Sequence, residues 1–144
     1  MYVDTHCHLD HVRFIGNLDK VIENCRKHNV TAISCGVNKD SNRRVLEISR
    51  KYSDVVKAAL GMFPFDAIGI ERDSSYLGTM PSKFNHEEEI EFIRSQKHNI
   101  VAISEVGLDK SIPDHNIGKQ KEIFQKIISL SEKIKKPLIV HSRK

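Results

Sequence analysis

The stretch Asp4-Thr5-His6-Cys7-His8-Leu9-Asp10 lies near the start of the chain, and the rest of the sequence is best interpreted around it. We predict that residues 2–6 form the end of a buried strand, so that His6 and His8 face one side and Cys7 the other. Two imidazoles on one face of a strand end can hold a metal ion. With 8 histidines in 144 residues, such a pair also arises readily by chance. The pair therefore requires partners elsewhere in the chain.

The composition is that of a globular protein with one core. The 144 residues are 39% hydrophobic and 29% charged, with 7 glycines and 4 prolines. No basic and apolar leader opens the sequence and no apolar run approaches the ~20 residues of a membrane helix, which predicts a cytoplasmic protein without membrane contact. The three cysteines lack a Cys-x-x-Cys pair and are expected to be reduced. A net charge of +4 favours an anionic partner.

Short apolar runs alternate with amphipathic stretches along the chain, which predicts parallel βαβ units. Strands are expected at residues 2–6, 30–37, 55–60, 100–104 and 138–140. Helices are expected after Asn17, after Asp40 or Ser41, after a capping box at Asn85 and Glu88, and over residues 117–134. Residues 62–85 interrupt this pattern with Phe63-Pro64-Phe65, Gly69, Gly78 and Pro81, and predict a long loop.

Polar residues follow three of the predicted strands. His6 and His8 follow the first, Glu105 follows the fourth and His141 follows the fifth. Because the carboxyl ends of parallel strands converge at one edge of a sheet, we expect these side chains to meet there and to bind metal. The alternatives are an ion pair for Glu105 and a satisfied core position for His141.

Three segments resemble the N-terminal signatures of the TatD-family metal-dependent deoxyribonucleases. They are Asp4 to Asp10, Ala102-Ile103-Ser104-Glu105-Val106-Gly107-Leu108-Asp109, and Pro137-Leu138-Ile139-Val140-His141-Ser142-Arg143. The resemblance implies an α/β fold of the TIM-barrel type with two divalent ions at the C-terminal mouth. It also implies that His6 and His8 hold one ion, that Glu105 lies between the two ions as the catalytic carboxylate, and that His141 holds the second.

The resemblance implies a hydrolase that cleaves phosphodiester bonds, with DNA as the expected substrate, and the residue types agree with its use of a metal-activated water. No side-chain nucleophile is evident in the sequence. Asp4, Asp10 and Asp109 are candidates to orient the histidines, and Arg143 is a candidate to bind substrate phosphate. Mg²⁺, Mn²⁺ and Zn²⁺ all suit histidine with carboxylate.

Two departures from the family pattern affect this interpretation. Where the family commonly has Gly-x-His-Pro-His, the chain has Gly61-Met62-Phe63-Pro64-Phe65, so phenylalanine replaces both histidines. The second departure is length, because a closed eight-stranded barrel needs about 250 residues. We therefore expect residues 1–144 to be one domain comprising only the N-terminal portion of a barrel, with about five parallel strands and intervening helices, and to be weakly active or inactive alone. The alternatives are hydrolysis of an amide or aminoacyl ester on the same scaffold, and a non-catalytic remnant.

Overall fold

The computed structural model describes residues 1–70, 84–111 and 116–143. Within these ranges five strands alternate with helices, as the hydrophobic pattern predicts. The elements in chain order are β1 (Tyr2–Cys7), α1 (Leu18–Lys27), β2 (Val30–Cys35), α2 (Lys39–Lys51), β3 (Val56–Leu60), α3 (Pro64–Ala67), α4 (His86–Ser95), β4 (Ala102–Asp109), α5 (Ile117–Ile134) and β5 (Leu138–Arg143), with a 3-10 turn at Val12–Phe14.

The strands form one sheet in the order β1-β2-β3-β4-β5, and each neighbouring pair is parallel. This sequential order is that of the first strands of a (β/α) barrel. The main core lies between the sheet and helices α2, α4 and α5, and includes the buried side chains Val45, Leu60, Ile93, Ile103 and Ile127. A smaller cluster around Ile22 packs α1 onto β1 and β2.

The prediction that β1 is a buried strand is wrong. Tyr2 is 73% exposed and Val3 is 49% exposed, because β1 lies at the edge of the sheet. The other edge is β5, where Val140 is 53% exposed. Each edge strand leaves one row of backbone groups without a partner strand among the described residues.

Several element boundaries also differ from prediction. The cap of α2 is Asn38, whose side-chain oxygen accepts a hydrogen bond from the Ser41 amide, and not Asp40 or Ser41. Asn85 caps α4 as predicted, but it accepts from the Glu87 amide and not from that of Glu88. Within the predicted loop 62–85, Pro64 begins the short helix α3, while Gly78 and Pro81 lie outside the described residues.

The fourth and fifth strands are longer than predicted. β4 continues to Asp109 and β5 to Arg143, so Glu105 and His141 lie inside strands and not just beyond them. The register shifts between Ile103 and Val106, where β4 pairs with β5. Such an irregularity re-aims side chains next to a functional site. Within the described ranges, no helix combines the length and apolar character needed to cross a membrane.

Candidate metal centre

The four predicted ligands meet around Glu105, and three of them form one group of donor atoms. The Nε2 atom of His6 lies 3.4 Å from Glu105 Oε2, and the Nε2 atom of His8 lies 3.6 Å from the same oxygen. These residues offer three donor atoms that all lie within 4.8 Å of one another. The alternation predicted for the first strand is confirmed, because the Cys7 thiol points the other way and donates to the Ile33 carbonyl.

This convergence shows that the sheet is strongly curved. β1 and β4 are separated by two other strands, so in a flat sheet their axes would be ~14 Å apart at a spacing of ~4.8 Å per strand. Side chains from these strands nevertheless come within 3.4 Å. The site therefore lies on the concave face, which is the inside of a barrel wall.

The orientation of His8 is fixed by the backbone of β2. Its Nδ1 atom lies 2.9 Å from the Cys35 carbonyl oxygen. Because a carbonyl can only accept, Nδ1 must carry the proton, and a neutral His8 then presents the lone pair of Nε2 towards Glu105. A histidine held in this way by a carbonyl is the usual arrangement for a metal ligand.

His141 lies on the other side of Glu105. Its Nδ1 atom is 2.7 Å from Glu105 Oε1, and its Nε2 atom is 2.9 Å from Asp109 Oδ2. The two oxygens of Glu105 therefore face different groups, with Oε2 towards the His6 and His8 pair and Oε1 towards His141. Glu105 therefore lies between the two histidine groups, and its predicted position between two ions stays a prediction.

The electrostatics of the site follow from this geometry. Burial alone would raise the pKa of Glu105, but its hydrogen bonds with His141 and His6 outweigh burial and lower the pKa to about 2. The hydrogen bond with Glu105 raises the pKa of His6. Burial opposes protonation of His141, but contacts with Glu105 and Asp109 raise its pKa. Glu105 is therefore ionised throughout the physiological pH range.

The donor set of His6, His8 and Glu105 fits a divalent ion, since two imidazole nitrogens and a carboxylate oxygen are typical ligands of Zn²⁺ and Mn²⁺. A second ion finds fewer donors among the described residues. His141 Nδ1 and Glu105 Oε1 contact each other and Asp109 contacts the other ring nitrogen, so an ion bound by His141 would replace one of these hydrogen bonds. The half-buried Cys7 thiol faces away from these donors and bonds the Ile33 carbonyl, and burial raises its pKa to about 12 and that of Cys35 to about 11.

The three aspartates considered from sequence have different roles. Asp109 contacts the His141 ring. Asp4 accepts from the backbone amide of His6. Asp10 accepts from the Ser41 hydroxyl at 2.5 Å and lies 3.8 Å from Arg44, so it fastens the loop after β1 to the start of α2. Arg143 ends the described part of β5, opposite Asp109 in the register, and its phosphate-binding role stays a prediction.

Phe63 and Phe65, which replace the two family histidines, are buried side chains. Phe63 is 0% exposed, and its ring packs edge-to-face on His141 with centroids 4.7 Å apart. Phe65 packs against Phe63 in the same way. The phenylalanines therefore support the site by packing, and neither ring is available in this chain to stack on a base. Sequence reasoning missed the contact between Phe63 and His141.

Comparison with known proteins agrees with this arrangement. Residues 3–144 match the family described as TatD related DNase. The chain is 34% identical over 142 residues to an uncharacterized metal-dependent hydrolase of Methanocaldococcus jannaschii, covering 99% of this chain and 51% of the relative. It is 30% identical over 146 residues to the human deoxyribonuclease TATDN3, covering 98% of this chain and 52% of the relative. The chain thus spans about half the length of these curated relatives.

Solved structures support the same relationship. The TatD homologue YjjV from Escherichia coli K12 superposes with a TM-score of 0.78 at 25% identity, covering 99% of this chain and 51% of that one. A TatD-family hydrolase from Entamoeba histolytica superposes with a TM-score of 0.74 at 18% identity, which shows the shared fold alone. The predicted TIM-barrel-type fold is confirmed, and the chain belongs to the TatD related DNase family.

Proposed function

We propose that the protein is a metal-dependent hydrolase that cleaves phosphodiester bonds, with DNA as its substrate. The observation that carries this proposal is the position of Glu105, whose two oxygens face histidines from the two edge strands of the sheet. Family membership and the name of the human relative, a deoxyribonuclease, support the choice of substrate class. The net charge of +4 favours a polyanionic substrate.

In this proposal His6, His8 and Glu105 hold one divalent ion, and His141 with Glu105 contributes to a second. Bound ions of this kind polarise a phosphoryl oxygen and lower the pKa of a coordinated water towards ~7. The residues of the chain prepare the site for that chemistry. Glu105 supplies a permanent negative charge, because its pKa is about 2. The Cys35 carbonyl keeps the proton of His8 on Nδ1, so that Nε2 can bind.

The environment of the ligands supports the same role. The side chain of Glu105 is 7% exposed and that of His141 is 16% exposed, whereas His6 is 38% exposed. The Glu105 and His141 side chains are therefore enclosed by protein, whereas the His6 side of the site is open to solvent and to a substrate. Asp109 and the Phe63 ring hold His141 between them.

We further propose that residues 1–144 provide the first five strands of a barrel, and that this segment alone turns over DNA weakly or not at all. Metal binding is therefore the primary test. The purified chain is stripped with EDTA, dialysed against Mn²⁺ or Zn²⁺, and its metal content is measured by atomic emission. We expect bound metal in the wild type and its loss in His8→Ala and Glu105→Gln, with His98→Ala, an exposed histidine away from the site, as the matched control.

Wild-type protein without bound metal, or equal metal in Glu105→Gln, would contradict the proposal. Substrate class is tested with single-stranded DNA, a phosphomonoester and an aminoacyl ester, each with and without EDTA. We expect EDTA-sensitive cleavage of DNA to exceed that of the other two. Preferential turnover of the ester would favour a different hydrolase on the same scaffold.

A further inference from the structure

Asn42 is a buried amide on α2 that uses both ends of its side chain on one glycine. Its Oδ1 atom accepts from the Gly61 amide at 3.1 Å, and its Nδ2 atom donates to the Gly61 carbonyl at 2.9 Å. Asn42 is 0% exposed. The Asn42 side chain therefore bonds both backbone groups of Gly61, as a neighbouring strand would, at the residue that follows β3.

Gly61 is in direct contact with the backbone of Glu105. A Cβ atom at position 61 would lie 2.2 Å from the carbonyl carbon of Ser104 and 2.5 Å from the Glu105 nitrogen. Only glycine permits so close an approach between the end of β3 and the middle of β4. The position of Gly61 consequently sets the position of the peptide that carries Glu105.

A second glycine provides an independent route from Asn42 to Glu105. A Cβ atom at Gly36 would lie 2.0 Å from Asn42 Oδ1, so the Asn42 amide packs directly on the Gly36 backbone. The Gly36 carbonyl accepts from the Glu105 amide at 2.8 Å. Both glycines that contact Asn42 thus contact the Glu105 peptide as well.

A partly buried ion pair between Arg43 and Glu89 contacts Asn42. Its Nδ2 atom donates to Glu89 Oε1 at 2.7 Å, and the same oxygen accepts from Arg43. Glu89 is 2% exposed, and the Arg43 guanidinium lies 3.5 Å from the Phe92 ring centroid. A bond to a charged acceptor is stronger than one between neutral groups. The Asn42 side chain is therefore fixed in one orientation.

We propose that Asn42 is a positioning residue for the metal centre, which places the Glu105 carboxylate between the His6 and His8 pair and His141. This inference rests on the proposed function, because it assigns Asn42 a role in metal binding without contact to the metal. Partners of this kind typically change metal affinity by about 10–100-fold.

The test compares Asn42→Ala with Val45→Ala in the full chain. Val45 lies on the same helix and is fully buried, but it belongs to the apolar core, so its truncation controls for a general loss of stability. Mn²⁺ affinity is measured by titration calorimetry at a temperature where circular dichroism shows each variant to be folded. We expect Asn42→Ala to weaken Mn²⁺ binding about tenfold or more, and Val45→Ala to change it less than about twofold.

Equal affinity in Asn42→Ala and wild type, or equal weakening in both variants, would overturn the proposal. Should Asn42→Ala fail to fold, Asn42→Ser decides the question. Serine is too short to bond both Gly61 groups and adds no charge beside Glu89, so weaker Mn²⁺ binding than wild type supports the proposal and unchanged binding overturns it.

A metal-free measurement separates this inference from the proposed function. If the wild type binds no Mn²⁺, the proposed function fails, but amide hydrogen exchange of Glu105 still reports on its bond to Gly36. Faster exchange at Glu105 in Asn42→Ala than in Val45→Ala supports the positioning role. Equal exchange in the two variants overturns it.

Discussion

Replacing Glu105 with glutamine tests the electrostatics of the site without changing its shape. The amide occupies the same volume and can still hydrogen-bond, but it lacks the negative charge that faces three histidines. We expect Glu105→Gln to destabilise the metal-free protein and to abolish binding of a divalent ion.

The size of the effect follows from the pKa. The Glu105 side chain is 7% exposed and its pKa falls from 4.5 to about 2, which corresponds to about 3 kcal/mol of stability at 1.36 kcal/mol per pKa unit. Because the folded-state pKa is lowered, this contribution is complete above pH 4.5 and is lost as the pH falls towards 2. Glutamine cannot supply it at any pH. For a chain of this length, about 3 kcal/mol lowers Tm by about 10 °C.

The assay is thermal unfolding in EDTA, followed by circular dichroism between pH 2.5 and pH 6. The wild type should lose stability steeply below pH 4.5, and Glu105→Gln should show a flatter profile. Asp54→Asn is the matched control, because the Asp54 carboxylate is also paired, with Arg26, but is exposed on the surface. A Tm within 2 °C of wild type at pH 6 (against the ~10 °C expected), or parallel pH profiles, would refute the electrostatic account of Glu105.

Further predictions concern the neighbours of the ligands. Gly107→Ala should lower the free energy of unfolding in urea by about 2 kcal/mol or more, since its Cβ would lie 2.0 Å from the His141 carbonyl oxygen at a φ of 146°. The control Gly118→Ala, in helix α5 where a Cβ has room, should not lower it. Phe63→Ala should lower the free energy of unfolding by about 3–5 kcal/mol, because it empties a fully buried site; a cost typical of an exposed residue would contradict the packing role. The raised pKa values of His6 and His141 mean that their protonated forms stabilise the metal-free fold. In EDTA, this contribution to the free energy of unfolding should be complete below pH 6.5 and should decline as the pH rises through the folded-state pKa values. Mn²⁺ affinity should rise over the same pH range. Affinity that is independent of pH between 6 and 8 would contradict histidine ligation. Finally, DNA cleavage by the chain alone should be slight, and robust EDTA-sensitive turnover would overturn the view that residues 1–144 need further strands.

The order of strands and helices could be predicted because each element carries its own hydrophobic period. The periodic apolar face that includes Ile123 and Ile127 predicts a helix over residues 117–134, and the observed limits of α5 are the same, Ile117–Ile134. The hydrophobic pattern from Ile100 predicts that β4 ends at Ser104, before the charged residues Glu105 and Asp109. Both are buried in the strand, at 5% and 0% exposure, since they face the concave side where His141 lies. The hydrophobic pattern therefore underestimates the length of β4, because the buried polar residues of its second half belong to the candidate site.

Other features could not be predicted because they depend on tertiary contacts. The run from Lys39 to Arg44 has the polarity of a solvated helix face, yet Asn42 is fully buried against Gly61. Burial of Glu89 beside it depends on how α4 packs. By contrast, α3 had a detectable signal, because proline is favoured in the first turn of a helix.

The location of the ligands on the outermost strands has a consequence for the order in which the molecule comes apart. His6 belongs to β1 and His141 to β5, which are the strands with a partner on one side only among the described residues. Because each has a neighbouring strand on one side only in the described part of the chain, we expect these strands to open before the middle of the sheet in local unfolding. A divalent ion held by His6, His8 and Glu105 would join β1 to β4 across the concave face, and the bond from Glu105 to His141 would extend that connection to β5. If the proposed site binds metal, loss of the ion would loosen β1 first, so the ion would stabilise the fold in addition to its proposed role in hydrolysis.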